Sequence, residues 1–377
     1  VAAILATAAA MRPLAIEHVA VRGMRNLAAV DLDPGPRFNV ISGDNGQGKT
    51  NFIEAVYVLC TSKSFRASRP GELVAHDGEI ASVRAELREE DDVREQSVGV
   101  KHGSRLVRID GKKPPTLAAY AVRTPVVVFH PGVVALSMGG GTERRRLLDR
   151  VALYLAPSSL ADAEAYARAL RERQKALEVR GERARDLDEW EEIVVRHGLA
   201  LSNARADAAA PLAEAAARVF ARIGAASDSL SASYARSAPL ETDGYRAELA
   251  RRRSQDARRG AASMGPHRDD LLLQLGAHPV RGIASQGQHR AVVLALKLAE
   301  IESIGGARGV RPILLLDDVS SELDRSRTAA LFAFLQEENG QVFLTTTRRE
   351  LIDTGDLGHT SERRDFGVIR GEVRPLT

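Results

Sequence analysis

Gly43-Asp44-Asn45-Gly46-Gln47-Gly48-Lys49-Thr50 reads as a complete phosphate-binding loop. Its context agrees. Residues 37–42 form a short apolar run suited to a buried strand, and residues 51–61 carry helical spacing through Ile53, Val56, Leu59 and Cys60. In a strand, glycine-rich turn and helix, the glycines let backbone N–H groups turn inward around phosphate oxygens, and the helix start adds the positive end of its dipole. Gly43, Asp44, Asn45, Gly46, Gln47 and Gly48 are therefore expected to wrap a nucleotide. Lys49 brings a point charge to its phosphates as a catalytic group, and Thr50 offers a hydroxyl to Mg2+.

Two further stretches complete the chemistry. Ile313-Leu314-Leu315-Leu316-Asp317-Asp318 is an apolar strand ending in two carboxylates. Ligands bind beyond the carboxyl ends of buried parallel strands, so both acids are expected at the nucleotide. Asp317 would hold the Mg2+ shell, directly or through water, and Asp318 would orient or deprotonate the attacking water. Ser285-Gln286-Gly287-Gln288, ahead of a helix, resembles the signature motif of ABC-type ATPases. There a serine and backbone amides at a helix start meet the γ-phosphate bound by the other subunit. Ser285, Gly287 and Gln288 are the nucleotide-binding candidates. Ser321-Glu322-Leu323-Asp324 follows as the D-loop does in such ATPases, adding Asp324. A signature motif implies an ATP-dependent homodimer with two sandwiched nucleotides, and a slow switch in place of a fast metabolic enzyme.

Strand-like runs cover 14–30, 81–87, 96–101, 106–109 and 126–129, and return at 271–275, 312–316 and 341–345, with a helix over 288–303. Between 144 and 259 the composition turns to Ala, Arg, Glu and Leu with helical spacing and no convincing strand. Ser159 with Asp162 resembles a capping box there, and Gly181, Gly198, Pro211, Gly224, Pro239 and Gly244 punctuate the block too often for a long coiled coil. The fold class is α/β: an ABC-type ATPase head with a mixed sheet and helices, built from both chain ends, and an inserted helical subdomain. Its parts are expected at 11–143 (head, with the phosphate loop), 144–259 (helical second lobe) and 260–377 (head, with signature motif, acidic strand and D-loop). Residues 1–10 are read as a misassigned start or a disordered extension ahead of Met11.

The 377 residues are 44% hydrophobic, enough for a large core, yet no run approaches the roughly 20 apolar residues of a transmembrane helix. One cysteine, Cys60, excludes an internal disulfide and fits a cytoplasmic address as buried helix filler. The net charge of +3 permits a nucleic-acid partner without demanding one. Seven lysines stand against 46 arginines, a bias that codon usage alone can produce.

The chain resembles the RecF family from Met11 to Thr377. The resemblance rests on Thr50-Asn51-Phe52-Ile53-Glu54-Ala55, Ser64-Phe65-Arg66, Phe129-His130-Pro131, Arg144-Arg145-Arg146-Leu147-Leu148-Asp149, Gly265-Pro266-His267-Arg268-Asp269-Asp270, and Ser285-Gln286-Gly287-Gln288 leading into Leu294-Ala295-Leu296-Lys297-Leu298-Ala299-Glu300. Ala284 and His289 depart from the usual pattern, where leucine and glutamine are common. The resemblance implies an SMC-like head, a weak and DNA-stimulated ATPase, ATP-dependent dimerisation, and binding at single-strand gaps or single-strand/double-strand junctions. It also implies RecO and RecR as partners in loading RecA, replication restart and SOS induction. Arg66, Lys112, Lys113, Arg144 to Arg146, Arg171, Arg173, Arg251 to Arg253, Arg258 and Arg259 are candidate phosphate contacts, although any single one of them reads more readily as part of an exposed charged face. Aromatics make up 4% and do not interleave with these charges, so DNA binding is expected mainly to the backbone and salt-sensitive.

Three other readings fit less well. A transporter nucleotide-binding subunit packs these motifs more closely, and Thr345-Thr346-Thr347 lacks its switch histidine. A chromosome-organising SMC protein needs long arms and a hinge or Cys-x-x-Cys hook. A scaffold with a dead nucleotide site conflicts with intact Lys49, Thr50, Asp317, Asp318 and Ser285.

Overall fold

The structure, a computed structural model, describes residues 11–101, 103–224, 228–318, 325–347 and 362–376. Residues 1–10 and Asp324 lie outside them. Contacts divide the chain into one unit made of both ends, up to Val133 and from Ile304 onward, and a second unit over Val134–Ser303. This division differs from the composition boundaries at 144 and 259, because residues 260–303 cluster with the helical block.

The first unit begins with β1 (Leu14–Met24), β2 (Leu27–Leu32), β3 (Phe38–Ser42) and α1 (Lys49–Thr61). The alternating stretch 14–30 is therefore a hairpin, turned at Arg25 and Asn26, with Arg25 and the preceding Gly23 of β1 both at positive φ. Next come β4 (Ile80–Glu89), β5 (Asp92–Lys101), β6 (Ser104–Ile109) and β7 (Val126–Phe129). In the second unit follow α2 (Gly141–Leu155), α3 (Ser159–Arg180), α4 (Leu187–Ile223), β8 (Leu230–Ala235), α5 (Thr242–Arg251), α6 (Arg253–Arg259), β9 (Asp270–Leu275), β10 (His278–Pro279) and most of α7 (Gln286–Arg308), whose last residues, from Ile304, count with the first unit. The chain closes through β11 (Ile313–Leu316), α8 (Arg325–Glu338), β12 (Val342–Thr346), β13 (Arg363–Ile369) and β14 (Glu372–Pro375).

The first unit holds two sheets. An antiparallel one runs β2-β1-β4-β5-β6, and its strands alternate buried and exposed residues, as one-sided burial requires. The other runs β14-β13-β3-β12-β11-β7 and is parallel except for β14. Its strands Val126–Phe129, Ile313–Leu316 and Val342–Thr346 are buried along their whole length, which is why they read as unbroken apolar runs. Each fully buried Val, Leu, Ile or Phe of this core contributes about 1.5–3 kcal/mol. The sheet takes β3 and β7 from the N-terminal side and the rest from the C-terminal side, as expected. Buried Gln341 ties the two sheets: its Oε1 accepts from Ile16 N at 2.8 Å, and its Nε2 donates to Ile16 O at 2.9 Å and Gly35 O at 2.8 Å. It fills the register slip at Ile16/His18 between β1 and β4. Cys60 is buried within α1.

The second unit corrects three expectations. It is not purely helical, because β8 pairs antiparallel with β9. β8 is built of Leu230, Ser231, Ala232, Ser233, Tyr234 and Ala235, and only Leu230 is fully buried, so the strand carries little hydrophobic signal. Gly198 and Pro211 do not interrupt α4, a single 37-residue helix. Glycine is placed at 198 because a Cβ there would lie 3.2 Å from the rings of Tyr166 and Tyr245. Ser159 and Asp162 form no capping box, since α3 starts on Ser158 without a side-chain cap.

Two of the motif stretches quoted above hold each other. Arg144 makes paired hydrogen bonds to Asp270 at 2.7 and 2.8 Å, and Arg145 donates to Asp269 O at 2.8 Å. Arg205 joins Asp149 at 2.6 and 3.0 Å and Pro266 O at 2.6 Å. Buried Asp269 accepts from Ser202, Ser237 N and Tyr234.

Candidate nucleotide site

The site lies at the carboxyl ends of β3, β12 and β11, neighbours in the parallel sheet. β3 delivers residues 43–50 into α1. Gly43, Gly46 and Gly48 have φ of 153°, 79° and 121°, conformations that side chains disfavour. Asp44, Asn45 and Gly46 are exposed at the rim, while Gly48 and Lys49 are buried at its base. Lys49 Nζ donates to Gly43 O at 2.6 Å and Asp44 O at 2.9 Å, crossing the loop. Burial lowers its pKa, while Asp318, Asp317 and Asp44 pull it up.

Two strands away, β11 ends in the acid pair. Asp317 Oδ1 accepts from Thr50 Oγ1 and from Thr345 Oγ1, each at 2.9 Å, and Thr345 Oγ1 accepts from Asp318 N at 2.9 Å. Asp317 is 4% exposed. Burial raises its pKa, and the Thr50 and Thr345 hydrogen bonds and the charge of Arg66 oppose that shift. Asp318 turns the chain with φ of 52° directly after the strand. The structure therefore gathers Lys49, Thr50, Asp317 and Asp318 in one place and adds Thr345 between the acids, on the strand that separates them from the loop.

A second layer surrounds α1. Fully buried Glu54 accepts from Arg25 at 3.0 and 3.1 Å, Arg66 at 2.5 Å and Ser64 at 2.5 Å. Burial pushes its pKa up, and these partners together bring it below the usual carboxylate value. Arg66 also donates to Asn51 at 2.6 Å, and Phe65 stacks on His130 with centroids 5.0 Å apart. Arg66, a DNA candidate in the sequence, is thus committed beside the nucleotide loop. The one legible hint of Glu54 was a carboxylate among the apolar positions of α1.

Ser285, Gly287 and Gln288 belong to the second unit, at the start of α7. Ser285 N donates to Gln288 Oε1 at 2.8 Å and Gln288 N to Ser285 Oγ at 3.2 Å, a reciprocal cap. Gln288 Nε2 donates to Asp228 at 2.8 Å.

Several other cations are removed from the DNA list. Arg144 is buried on Asp270, and Arg173 is fully buried between Glu191 and Asp256. Arg253 is held by Asp188 and Glu191. Lys112, Lys113, Arg146, Arg171, Arg251, Arg258 and Arg259 remain exposed.

Residues 15–361 match the family described as RecF/RecN/SMC N terminal domain. The protein named DNA replication and repair protein RecF of Anaeromyxobacter sp. (strain Fw109-5) is 41% identical over 367 residues, covering 95% of this chain and 98% of the relative. That of Myxococcus xanthus (strain DK1622) is 40% identical over 354 residues, covering 91% and 92%. The solved recombination mediator protein RecF-ATP in RecFOR pathway matches with a TM-score of 0.84 at 27% identity, covering 98% of this chain and 99% of that one. An Smc head bound to the C-winged helix domain of ScpA shares the fold, with a TM-score of 0.54 at 17% identity.

A parallel sheet with this loop, acid pair and sequence kinship defines an ATP-binding P-loop ATPase head of the RecF/SMC type. Within that class, the chain belongs to the RecF family of DNA replication and repair proteins.

Proposed function

We propose that this chain is an ATP-driven clamp on DNA, a weak ATPase that pairs with a second copy when ATP is bound. It acts at single-strand gaps or single-strand/double-strand junctions, with RecO and RecR in promoting RecA loading. The observation that carries the reading is the hydroxyl–carboxylate cluster of Thr50, Asp317 and Thr345 beside the loop of Lys49. Thr50 and Asp317 fit a nucleotide-bound Mg2+, which takes few protein oxygens and keeps water. When bound, that ion neutralises charge on the phosphates.

In this reading Gly43 to Gly48 wrap the phosphates, Lys49 releases its loop carbonyls for the nucleotide, and Asp318 orients or deprotonates the attacking water. Ser285, Gly287 and Gln288 reach the γ-phosphate held by the partner copy, and Asp324 serves at the same junction. The exposed cations, Lys112, Lys113 and Arg259 among them, supply backbone contacts to DNA.

The test is binding of a fluorescent gapped duplex with and without ATP, comparing wild type with Lys49→Met over a salt series. ATP should tighten binding by wild type and not by the variant, with affinity falling steeply as salt rises. Equal binding with and without ATP contradicts the clamp.

A further inference from the structure

The peptide between Gln47 and Gly48 is held from outside the nucleotide loop. Gln47 O accepts from Asn26 Nδ2 at 3.1 Å and from Gly371 N at 2.8 Å, and Gln47 Oε1 accepts from Arg370 N at 2.6 Å. Asn26 sits in the β1–β2 turn, and Arg370 and Gly371 in the β13–β14 turn, so two hairpins from opposite ends of the chain close on one carbonyl. Asn26 Oδ1 in turn accepts from Asn51 Nδ2 at 2.7 Å, in the first turn of α1.

A trans peptide is planar, with its C=O and the next N–H pointing in opposite directions. Two donors that fix Gln47 O outward therefore aim Gly48 N–H inward, at the place where the loop takes phosphate. The fit leaves no slack. A Cβ on Gly48 would lie 2.8 Å from Asn26 Oδ1, and one on Gly371 would lie 1.9 Å from Asn26 O.

We infer that Asn26, with the Arg370–Gly371 turn, is a positioning element that presets the nucleotide loop by pinning the Gln47–Gly48 peptide. The inference rests on the nucleotide site proposed above. Its effect falls on binding and not on the chemical step, because the pinned group is a backbone donor to phosphate and not the acid assigned to the attacking water. A loop free to flip this peptide must be ordered by the nucleotide itself, which weakens affinity.

The experiment titrates a fluorescent ATP analogue into wild type, Asn26→Ala, Asn26→Asp and Gly371→Ala, with thermal melts of each protein without nucleotide. Asn26→Asp keeps the acceptor for Asn51 and loses the donor to Gln47, so it separates pinning from a merely structural role. Titrations are repeated at about 0.5 M salt, where the new carboxylate's repulsion of phosphate is screened. Both Asn26 variants should bind about tenfold more weakly than wild type at either salt, the effect of one lost hydrogen bond. Their hydrolysis at saturating ATP should stay within about threefold of wild type. Gly371→Ala, which reaches the same carbonyl from the other side, should weaken binding likewise, and it carries the test if the Asn26 variants melt early. Wild-type affinity in Asn26→Asp, or lost turnover at unchanged affinity, overturns the inference. A wild type that binds no ATP overturns the nucleotide site itself.

Discussion

Asp317 Oδ1 takes two hydroxyls at once, from Thr50 and Thr345, and Thr345 also receives the amide of Asp318. One threonine thus sets the direction of both acids. Thr345→Val should lower kcat by about tenfold or more while leaving ATP affinity within about twofold, since it misplaces the water-orienting group and not the phosphate loop. Equal losses in affinity and kcat would contradict this. Thr345 was visible in the sequence merely as the place where a transporter's switch histidine is missing; its role comes from strand order, which puts β12 between β3 and β11. Lys49, Thr50, Asp317 and Asp318 were legible because a glycine loop and an apolar strand mark them locally. His267 shows the opposite case, a motif residue without an assigned role. Its Nε2–H faces Ala262 O at 3.0 Å and its Nδ1 faces Tyr166 OH at 2.7 Å, so a neutral ring satisfies both neighbours. Burial lowers its pKa, assisted by the charges of Arg268 and Arg145 and opposed by the hydrogen bond to the Ala262 carbonyl and by the charge of Asp269. The unfolded chain then binds more protons below about pH 6.5, so this residue's contribution is intact above that pH and lost as pH falls through it. The urea midpoint should drop more between pH 7.5 and 5.5 in wild type than in His267→Gln; parallel curves would contradict the assignment.

The helices of the second unit are tied by charge inside their core. Arg173 of α3, with no exposed surface, meets Glu191 of α4, Asp256 of α6 and Leu249 O of α5. Removing it leaves buried Asp256 without its cation and Glu191 with Arg253 alone, so Arg173→Met should cost about 3–5 kcal/mol in denaturant unfolding. Arg173→Lys should not restore it, because one ammonium cannot reach three acceptors in fork geometry. A cost below about 1 kcal/mol would show that Arg253, which also reaches Glu191, suffices. The sequence offered this arginine as a DNA contact, since a cation in a helical charge pattern looks the same whether it faces water or two distant acids. Similarly, β8 was hidden because its partner β9 lies beyond two helices, and small polar residues leave little period to read. Continuous apolar runs such as Val126–Phe129 were placed to the residue, because burial on both faces writes itself into composition.

For the whole molecule, the proposed clamp needs two copies to share each nucleotide, with the loop of Lys49 from one copy and the signature serine Ser285 from the other. In that arrangement defects in the two motifs should complement. Lys49→Met and Ser285→Arg should each abolish hydrolysis alone. In a mixed pair, one site unites the intact loop of one variant with the intact serine of the other. Random pairing of equal amounts makes half the pairs mixed, each with one good site of two, so the mixture should recover about a quarter of wild-type turnover. ATP hydrolysis by that mixture is the most direct measurement: recovery near this level establishes the shared site, and a mixture as inactive as its components contradicts it.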